Sequence, residues 1–256
     1  MAALTGFGVS FSGGKVFFDQ ARIGSHLRVY AIGDIHGCAA LLDRLLDRIE
    51  ADLAARPVEK ARIITVGDYS DRGPDSRGVI ERLLARSGDE RFVMLRGNHE
   101  QWLLDFLEDP MENGEAWLRN GGRDTARSYG VETDWDRDLY GFWRAFRRAF
   151  PTRHLQFLQG LPFSHSEGDF LFVHAGVKPG VRLDRQSPRD MMWIREEFLM
   201  HTGSFGKVVV HGHTPGETVE ILPNRINIDT RAFDSGLLSC VAIEGGEVRT
   251  IDTGNA

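Results

Sequence analysis

The sequence predicts a layered α/β fold, because short apolar runs alternate with amphipathic segments along much of the chain. A second observation is that each apolar run ends at a cluster of polar residues, where strands of such folds commonly carry a site. With 256 residues, of which 41% are hydrophobic and 27% charged, the chain has an ordinary globular composition and enough length for a sizeable core. We therefore expect one domain, with two small domains as the alternative.

Five runs rich in β-forming residues predict the strands. They are residues 28–32, 62–66, 91–95, 170–173 and 207–210, followed by polar clusters at 33–37, 67–73, 97–100, 174–176 and 211–214. Unbroken apolar runs of this length are typical of strands buried on both faces. Because ligands collect at the carboxyl ends of strands in such folds, the clusters are expected to meet in one site.

Helices are predicted between the first strands and in the middle of the chain. Leucine and isoleucine recur at helical spacing over residues 41–53, and residues 79–84 repeat the pattern more briefly. Residues 102–160 are predicted to be a mostly helical segment, with breaks near 120–122 and 129–130. Its aromatic stripe, over residues 139–150, predicts a core-facing side rather than a ligand platform. After Thr214 the pattern predicts hairpins.

The charge balance and the cysteine count weigh against several classes of protein. Lysine and arginine total 31 against 37 acidic residues, a net charge of −6, which argues against broad nucleic-acid binding. Two cysteines, Cys38 and Cys240, cannot form a disulfide framework, and no apolar stretch approaches the length of a membrane span. The start of the chain lacks the pattern of a signal peptide. We expect a cytoplasmic protein, with residues 1–27 as a loose lead-in and residues 28–256 as a single domain.

The polar clusters share a set of side chains that bind metals. Its members follow the predicted strands and are Asp34, His36, Asp68, Asn98, His99, His174, His211 and His213. A mixture of carboxylate, imidazole and amide oxygen suits manganese, iron or zinc. Six such ligands are too many for one catalytic zinc and suit two metals about 3.5–4 Å apart. Each motif alone is explained as a helix cap or a turn, but their co-occurrence at strand ends favours a metal site.

The same clusters resemble a known family. Gly33-Asp-Ile-His-Gly37, Gly67-Asp-Tyr-Ser-Asp-Arg-Gly73 and Leu95-Arg-Gly-Asn-His-Glu100 are similar to the three signature motifs of the PPP family of metallophosphatases. Residues 174–176 and 212–213 resemble its two later ligand motifs, and residues 117–130 resemble its bacterial serine/threonine phosphatases. The resemblance, which covers about residues 29–233, implies the four-layer α/β/β/α sandwich of the calcineurin-like phosphoesterase superfamily, with strands ending at a dinuclear metal site.

The resemblance also implies a role for each ligand. Asp34 and His36 would hold the first metal, and Asp68 would bridge the two. The second metal would be held by Asn98, His174 and His213, with His211 as a neighbour. The cofactors are expected to be two divalent or trivalent ions, manganese first, with iron or zinc as alternatives.

The implied mechanism is direct attack on phosphorus by a metal-bridging hydroxide. His99 would donate a proton to the leaving oxygen, and Asp71 would orient His99 and keep it protonated. Arg72 and Arg195 would bind the phosphoryl oxygens. The alternative for Arg195 is a surface arginine in a chain that is rich in arginine.

Three departures from the family pattern are visible. Ser70 stands where valine is usual and is expected to change only packing, and Arg231 stands where relatives often have glycine and is expected to alter the rim of the site. The C-terminal signature loop of the eukaryotic enzymes is missing, so no eukaryotic-type regulatory subunit is expected.

The leading interpretation is a phosphatase for phosphoprotein or a phosphorylated small molecule, with phosphoserine and phosphothreonine as the expected groups and residues 102–160 shaping the groove. The nearest alternative is a symmetric bis(5'-nucleosyl)-tetraphosphate hydrolase, a sister group that ends the third motif in Asp and lacks the equivalent of Asp71. A non-catalytic phosphate-binding module is a third alternative. The acidic balance disfavours a nuclease, and neither nucleic acid nor a membrane is expected as a partner.

Overall fold

A computed structural model describes residues 16–132 and 134–254. The first half of the chain contains β1 (Leu27–Ile32), α1 (Ala39–Ala55), β2 (Lys60–Thr65), α2 (Ser76–Leu84), β3 (Phe92–Met94), α3 (Asn98–Glu108), α4 (Pro110–Trp117), a π-helical turn (Leu118–Gly122) and α5 (Arg123–Ser128). The second half contains α6 (Leu139–Ala149), α7 (Thr152–Gln159), β4 (Ser164–Glu167), β5 (Phe170–Val173), a 3₁₀ turn (Leu183–Arg185), α8 (Pro188–Trp193), α9 (Glu196–Leu199), β6 (Val208–His211), β7 (Glu220–Ile221), β8 (Arg225–Asn227), α10 (Ala232–Ser235), β9 (Ser239–Glu244) and β10 (Glu247–Asp252).

The strands form two five-stranded sheets. The first has the order β10-β9-β1-β2-β3, in which β1, β2 and β3 are parallel and the hairpin of β9 and β10 adds antiparallel strands. The second has the order β4-β5-β6-β8-β7, with β5, β6 and β8 parallel and antiparallel strands at both edges. The parallel strands at the centre of each sheet therefore end on the same edge.

Successive side chains of each strand point to opposite faces of the sheet, and this alternation produces the layers. In β1, Val29 and Ala31 pack in the cluster between the two sheets, whereas Tyr30 and Ile32 pack against the helices. In β5, Phe170 and Phe172 join the cluster between the sheets, and Leu171 and Val173 pack with α8 and α9. The order is therefore helices, sheet, sheet, helices, and the predicted fold class is confirmed.

The middle of the chain is helical, and its glycines mark the breaks. Helix α3 begins at Asn98, and the backbone kinks at Gly121, whose φ is +110°. On α6, Phe142 and Phe146 are buried in the core, so the aromatic stripe faces inward as predicted. In the described residues, no helix is both long enough and apolar enough to cross a membrane.

Part of the predicted lead-in lies within the described residues. Residues 1–15 lie outside them, and residues 16–26 are mostly exposed but contribute two side chains to the core. Ala21 and Ile23 are buried in the cluster between the sheets, and the Phe18 N–H donates to the Pro223 carbonyl. This segment joins the core because apolar residues alternate within it, a pattern that the glycine-rich start of the chain obscures.

Candidate metal centre and active site

The loops after the central strands bring the predicted ligands to one edge of the sandwich. Asp34 follows β1, Asp68 follows β2 and Asn98 begins α3 just after β3. His174 follows β5 and His213 follows β6. All five side chains are buried, as is that of His36. The five polar clusters therefore meet in one place, as carboxyl ends of parallel strands do.

Two imidazoles are fixed so that a lone pair faces the site. His36 Nδ1 lies 2.9 Å from the Ser70 carbonyl oxygen, and His174 Nδ1 lies 3.1 Å from the Val66 carbonyl oxygen. A proton on each Nδ1 donates to that carbonyl, which leaves Nε2 free to bind a metal. Burial lowers the pKa of His36, and it lowers the pKa of His174 to about 3. Both rings are therefore neutral at physiological pH, which is the form that ligates metals.

The ligand atoms converge on two points that share Asp68. His174 Nε2 lies 3.3 Å from Asp68 Oδ1, 2.8 Å from Asn98 Oδ1 and 3.2 Å from His213 Nδ1. On the other side, His36 Nε2 lies 3.5 Å from Asp68 Oδ2. Each oxygen of Asp68 thus faces a different imidazole. This is the position that a carboxylate bridging two metals would take.

The charges of the site also fit bound cations. Asp34, Asp68 and Asp229 are buried, and within residues 16–132 and 134–254 none of them forms an ion pair with lysine or arginine. Burial raises the pKa of all three carboxyls, that of Asp229 to about 6. Asp34 Oδ2 accepts from the His213 N–H at 2.9 Å, while Asp34 Oδ1 finds no hydrogen-bond partner in the described part of the chain. Divalent cations would supply the missing partners and the missing positive charge.

Two further aspartates border the predicted ligands. Among the described residues, two clusters of mutually close donors are found, His36 with Asp68 and His99, and Asp68 with His174 and His213, and Asp34 belongs to neither. Its orphan Oδ1 nevertheless lies against Gly212, beside the second cluster. Asp229 was not predicted as a site residue. The sequence feature that could have indicated it is its place directly after a short strand-like run, as for the predicted ligands.

Glu100 joins the second and third motifs. Its Oε2 accepts from the N–H groups of Asp68 at 2.8 Å and Gly97 at 3.0 Å. Its Oε1 accepts from the N–H groups of Tyr69 at 2.8 Å and Ser70 at 3.2 Å. The carboxylate is fully buried and, as the third residue of α3, faces the start of that helix. Glu100 therefore fixes the loop that presents Asp68, a function that sequence reasoning missed.

His99 and Asp71 form a pair beside the ligands. His99 Nδ1 lies 2.7 Å from Asp71 Oδ2, and His99 Nε2 lies 3.9 Å from Asp68 Oδ2. Asp71 also accepts from Trp117 Nε1 and from Thr125 Oγ1, two residues that were given no role from the sequence. The pairing leaves His99 Nε2 directed at the place where the two metals would share a ligand.

Burial dominates the ionisation of this pair. It lowers the pKa of His99 to about 4, and it raises the pKa of Asp71 well above the usual range of a carboxyl group. The charge of nearby Asp68 raises the pKa of His99. A bound phosphate dianion would act in the same direction, because negative charge stabilises the imidazolium.

The two predicted phosphate-binding arginines are placed differently. Arg72 Nη1 donates to His36 Nε2 at 3.1 Å, and its guanidinium lies 5.1 Å from the centre of the Phe233 ring. Arg72 thus shares the lone pair that a metal on His36 would use. Arg195 is exposed at the start of α9, and its charge contributes to lowering the pKa of His174. Both arginines border the metal ligands, and their role toward phosphate stays a prediction.

Three further residues lie at the edge of the site. His211 is buried, but its Nδ1 faces the Gly212 carbonyl and its ring packs edge-on against Phe198. The Ser70 side chain is buried, with its hydroxyl 3.4 Å from Glu100 Oε1. Arg231 has a φ of +56°, a left-handed conformation that glycine adopts most readily.

A sequence profile described as calcineurin-like phosphoesterase matches residues 27–235. Over 223 residues the chain is 29% identical to serine/threonine-protein phosphatase 1 of Salmonella typhimurium strain LT2, which covers 84% of this chain and 92% of that protein. Over 153 residues it is 33% identical to the symmetrical bis(5'-nucleosyl)-tetraphosphatase of Dechloromonas aromatica strain RCB, covering 60% of this chain and 45% of that protein. The chain thus spans less than half of the second relative.

The fold also resembles solved structures. The crystal structure of a provisionally assigned diadenosine tetraphosphatase superimposes with a TM-score of 0.61 and 24% sequence identity, covering 92% of this chain and all of that one. This similarity concerns the architecture alone.

Asp68 belongs to both donor clusters, and this can be tested by metal analysis. We expect Asp68→Asn to reduce bound metal at both sites, because the neutral amide offers one oxygen where the carboxylate offers two. Elemental analysis after loading with manganese measures this, with Asp184→Asn on the exposed surface as the control. Full occupancy in Asp68→Asn would contradict the bridging position.

The contacts of Glu100 give a test by chemical denaturation. In Glu100→Gln, two backbone N–H groups would face an NH₂ group, at a cost of about 1–3 kcal/mol each. We expect a clearly lower free energy of unfolding than in the control Glu217→Gln, which alters an exposed side chain. Equal stability of the two variants would show that Glu100 does not hold the loop.

Proposed function

Because the chain belongs to the calcineurin-like phosphoesterase family, whose members use dinuclear metal sites, we propose that it is a metal-dependent phosphatase acting on phosphoserine and phosphothreonine in proteins. The observation that carries this proposal is the buried pair of His99 and Asp71, with His99 Nδ1 2.7 Å from Asp71 Oδ2.

The pair matters because substrates differ in how much their leaving group needs a proton. The alkoxide of serine or threonine is a strong base and leaves only when an acid protonates it as the bond to phosphorus breaks. The nucleoside diphosphate released from a dinucleoside tetraphosphate is a weak base and leaves readily without a proton. A histidine oriented by a buried carboxylate is therefore what an alkyl phosphomonoester requires.

The remaining residues of the site divide the other tasks. The six ligands, Asp34, His36, Asp68, Asn98, His174 and His213, would hold two ions, and manganese suits this mixture of oxygen and nitrogen donors. When bound, the ions would lower the pKa of a water molecule and neutralise charge on the phosphoryl oxygens. Arg72 and Arg195 would orient the phosphoryl group from the rim through their planar guanidinium groups.

A cavity of about 480 Å³ beside His99 would take the polypeptide part of the substrate. Trp102 from α3 and Trp193 from α8 line it, and the Trp102 ring lies edge-on to His99 with 5.0 Å between ring centres. Since His99 would protonate the leaving oxygen, the leaving group must lie on its side of the site. We propose that this cavity is the groove that the helical segment shapes, with a phosphoprotein as its partner.

The relatives support both the proposal and its nearest alternative. Similarity to a serine/threonine-protein phosphatase extends over 92% of that protein, similarity to a symmetrical tetraphosphatase over 45%, and similarity to an asymmetrical tetraphosphatase over 91%. Several other relatives carry the tetraphosphatase name. Hydrolysis of dinucleoside tetraphosphate on the same metal centre is therefore the second candidate function.

Parallel assays of the manganese-loaded protein decide between these candidates. We expect faster turnover of a phosphoserine or phosphothreonine peptide than of diadenosine tetraphosphate. Much faster turnover of the dinucleotide would overturn the proposal in favour of the second candidate. Turnover of neither compound, nor of 4-nitrophenyl phosphate, would support a non-catalytic phosphate-binding module.

Replacement of the proposed acid gives a second test. We expect His99→Asn to retain its metal and to lower the turnover of a phosphoserine peptide by about 10²–10⁴-fold, the usual contribution of general acid catalysis. His201→Asn, which changes a histidine without an assigned role, is the control. An unchanged rate in His99→Asn would remove this residue from the mechanism.

A further inference from the structure

We infer that Trp117 and Thr125 are positioning residues for the proton donor: together they hold the Asp71 carboxylate against His99, so that His99 Nε2 presents its proton to the leaving oxygen. The inference rests on the proposed function, because it assigns His99 as the acid. It concerns two residues of the helical segment that lie outside the three signature motifs, in the stretch that resembles bacterial serine/threonine phosphatases.

The contacts are direct and leave Asp71 little freedom. Thr125 Oγ1 donates to Asp71 Oδ1 at 2.6 Å, and Trp117 Nε1 lies 3.1 Å from both Oδ1 and Oδ2. Thr125 Oγ1 also accepts from the Asp71 N–H at 2.8 Å. One hydroxyl group thus binds both the backbone and the side chain of Asp71, which has a left-handed φ of +72°.

The two donors meet at Asp71 only because the helix between them is broken. Trp117 and Thr125 are eight residues apart, a separation of about 12 Å along a continuous α-helix. The π-helical turn over Leu118–Gly122 bends the chain between α4 and α5. A Cβ at Gly121 would lie 2.6 Å from the backbone nitrogen of Arg72, so this bend also lies directly against the second motif.

The Trp117 ring is held on both sides. It is fully buried and stacks on Phe106, with 4.5 Å between ring centres, and it packs on Phe146 at 5.3 Å. Gly122 leaves room for the indole, since a Cβ there would meet its ring atoms. An indole this confined has one direction for its N–H, and that direction is Asp71.

Every partner of the Asp71 carboxylate is a hydrogen-bond donor, and the donors oppose its rotation. If Trp117 or Thr125 were lost, the carboxylate could turn about its bond to Cβ and His99 could turn with it. His99 Nε2 would then deliver its proton less often along the line to the leaving oxygen. The loss should therefore depend on how much the leaving group needs that proton.

Four variants test this with two substrates. Trp117→Phe removes the N–H and keeps an aromatic ring, Thr125→Val removes the hydroxyl, and Thr125→Ser restores it. Trp143→Phe is the matched control, because Trp143 Nε1 donates to the Leu107 carbonyl at 3.1 Å within the same helical segment. Each variant is assayed with a phosphoserine peptide, whose leaving group needs a proton, and with 4-nitrophenyl phosphate, whose leaving group does not.

We expect Trp117→Phe and Thr125→Val to lower kcat for the phosphoserine peptide by about 10–10²-fold, within the range that an acid contributes. For 4-nitrophenyl phosphate the loss should be small, with KM and metal content unchanged for both substrates. Thr125→Ser and Trp143→Phe should behave like the parent protein. An equal loss on both substrates, or no loss, would overturn the inference and leave Trp117 and Thr125 with a structural role only.

A readout without turnover separates this inference from the proposed function. In zinc-loaded protein, the His99 Nδ1 proton should give a far-downfield NMR signal from its short hydrogen bond, and Trp117→Phe should shift or broaden it while Trp143→Phe does not. If the parent protein hydrolysed neither substrate, the proposed function would fail, and this signal would still decide the inference. An unchanged signal in Trp117→Phe would refute the positioning of His99 through Trp117.

Discussion

Four backbone N–H groups converge on the buried carboxylate of Glu100, and the geometry of the metal centre depends on this convergence. The loop after β2 and the turn before α3 come from different strands, and the Glu100 side chain joins them by accepting from both. The loop after β2 positions Asp68 between two imidazoles, and the turn before α3 positions Asn98. A ligand set spread over five loops can act as one site only if such a contact fixes the loops relative to each other.

A second set of contacts positions the proposed proton donor, His99. Asp71 belongs to the same loop as Asp68, but its carboxylate is bound by the helical segment rather than by the sheet. The site is therefore built from two sources: strand ends supply the ligands, and the α4–α5 bend supplies the surroundings of the acid. This division separates the residues proposed to hold metal from those proposed to act on the leaving group.

The sequence predicted the strands well, because buried strands carry unbroken apolar runs that few other structures need. It missed β4, whose residues Ser164–Glu167 are polar and form an edge strand with only partly buried side chains. Among site residues, those next to a strand end were visible from their place in the motifs. Trp117 and Thr125 were not, since they lie 46 and 54 residues from Asp71 and reach it only through tertiary packing. Roles for the ligands remain predictions, although the structure brings all six to one edge.

Six non-glycine residues of the described chain have positive φ values: His36, Asp68, Asp71, Arg72, His213 and Arg231. Five of them are proposed to bind metal, orient the acid or contact phosphate, and the sixth lies at the rim. Each such conformation costs of order 1–3 kcal/mol, which glycine would relieve. As far as the backbone is concerned, selection for thermal stability would therefore favour glycine at these positions. In this fold, the search for a more stable variant and the search for a more active one lead in opposite directions at the same few positions.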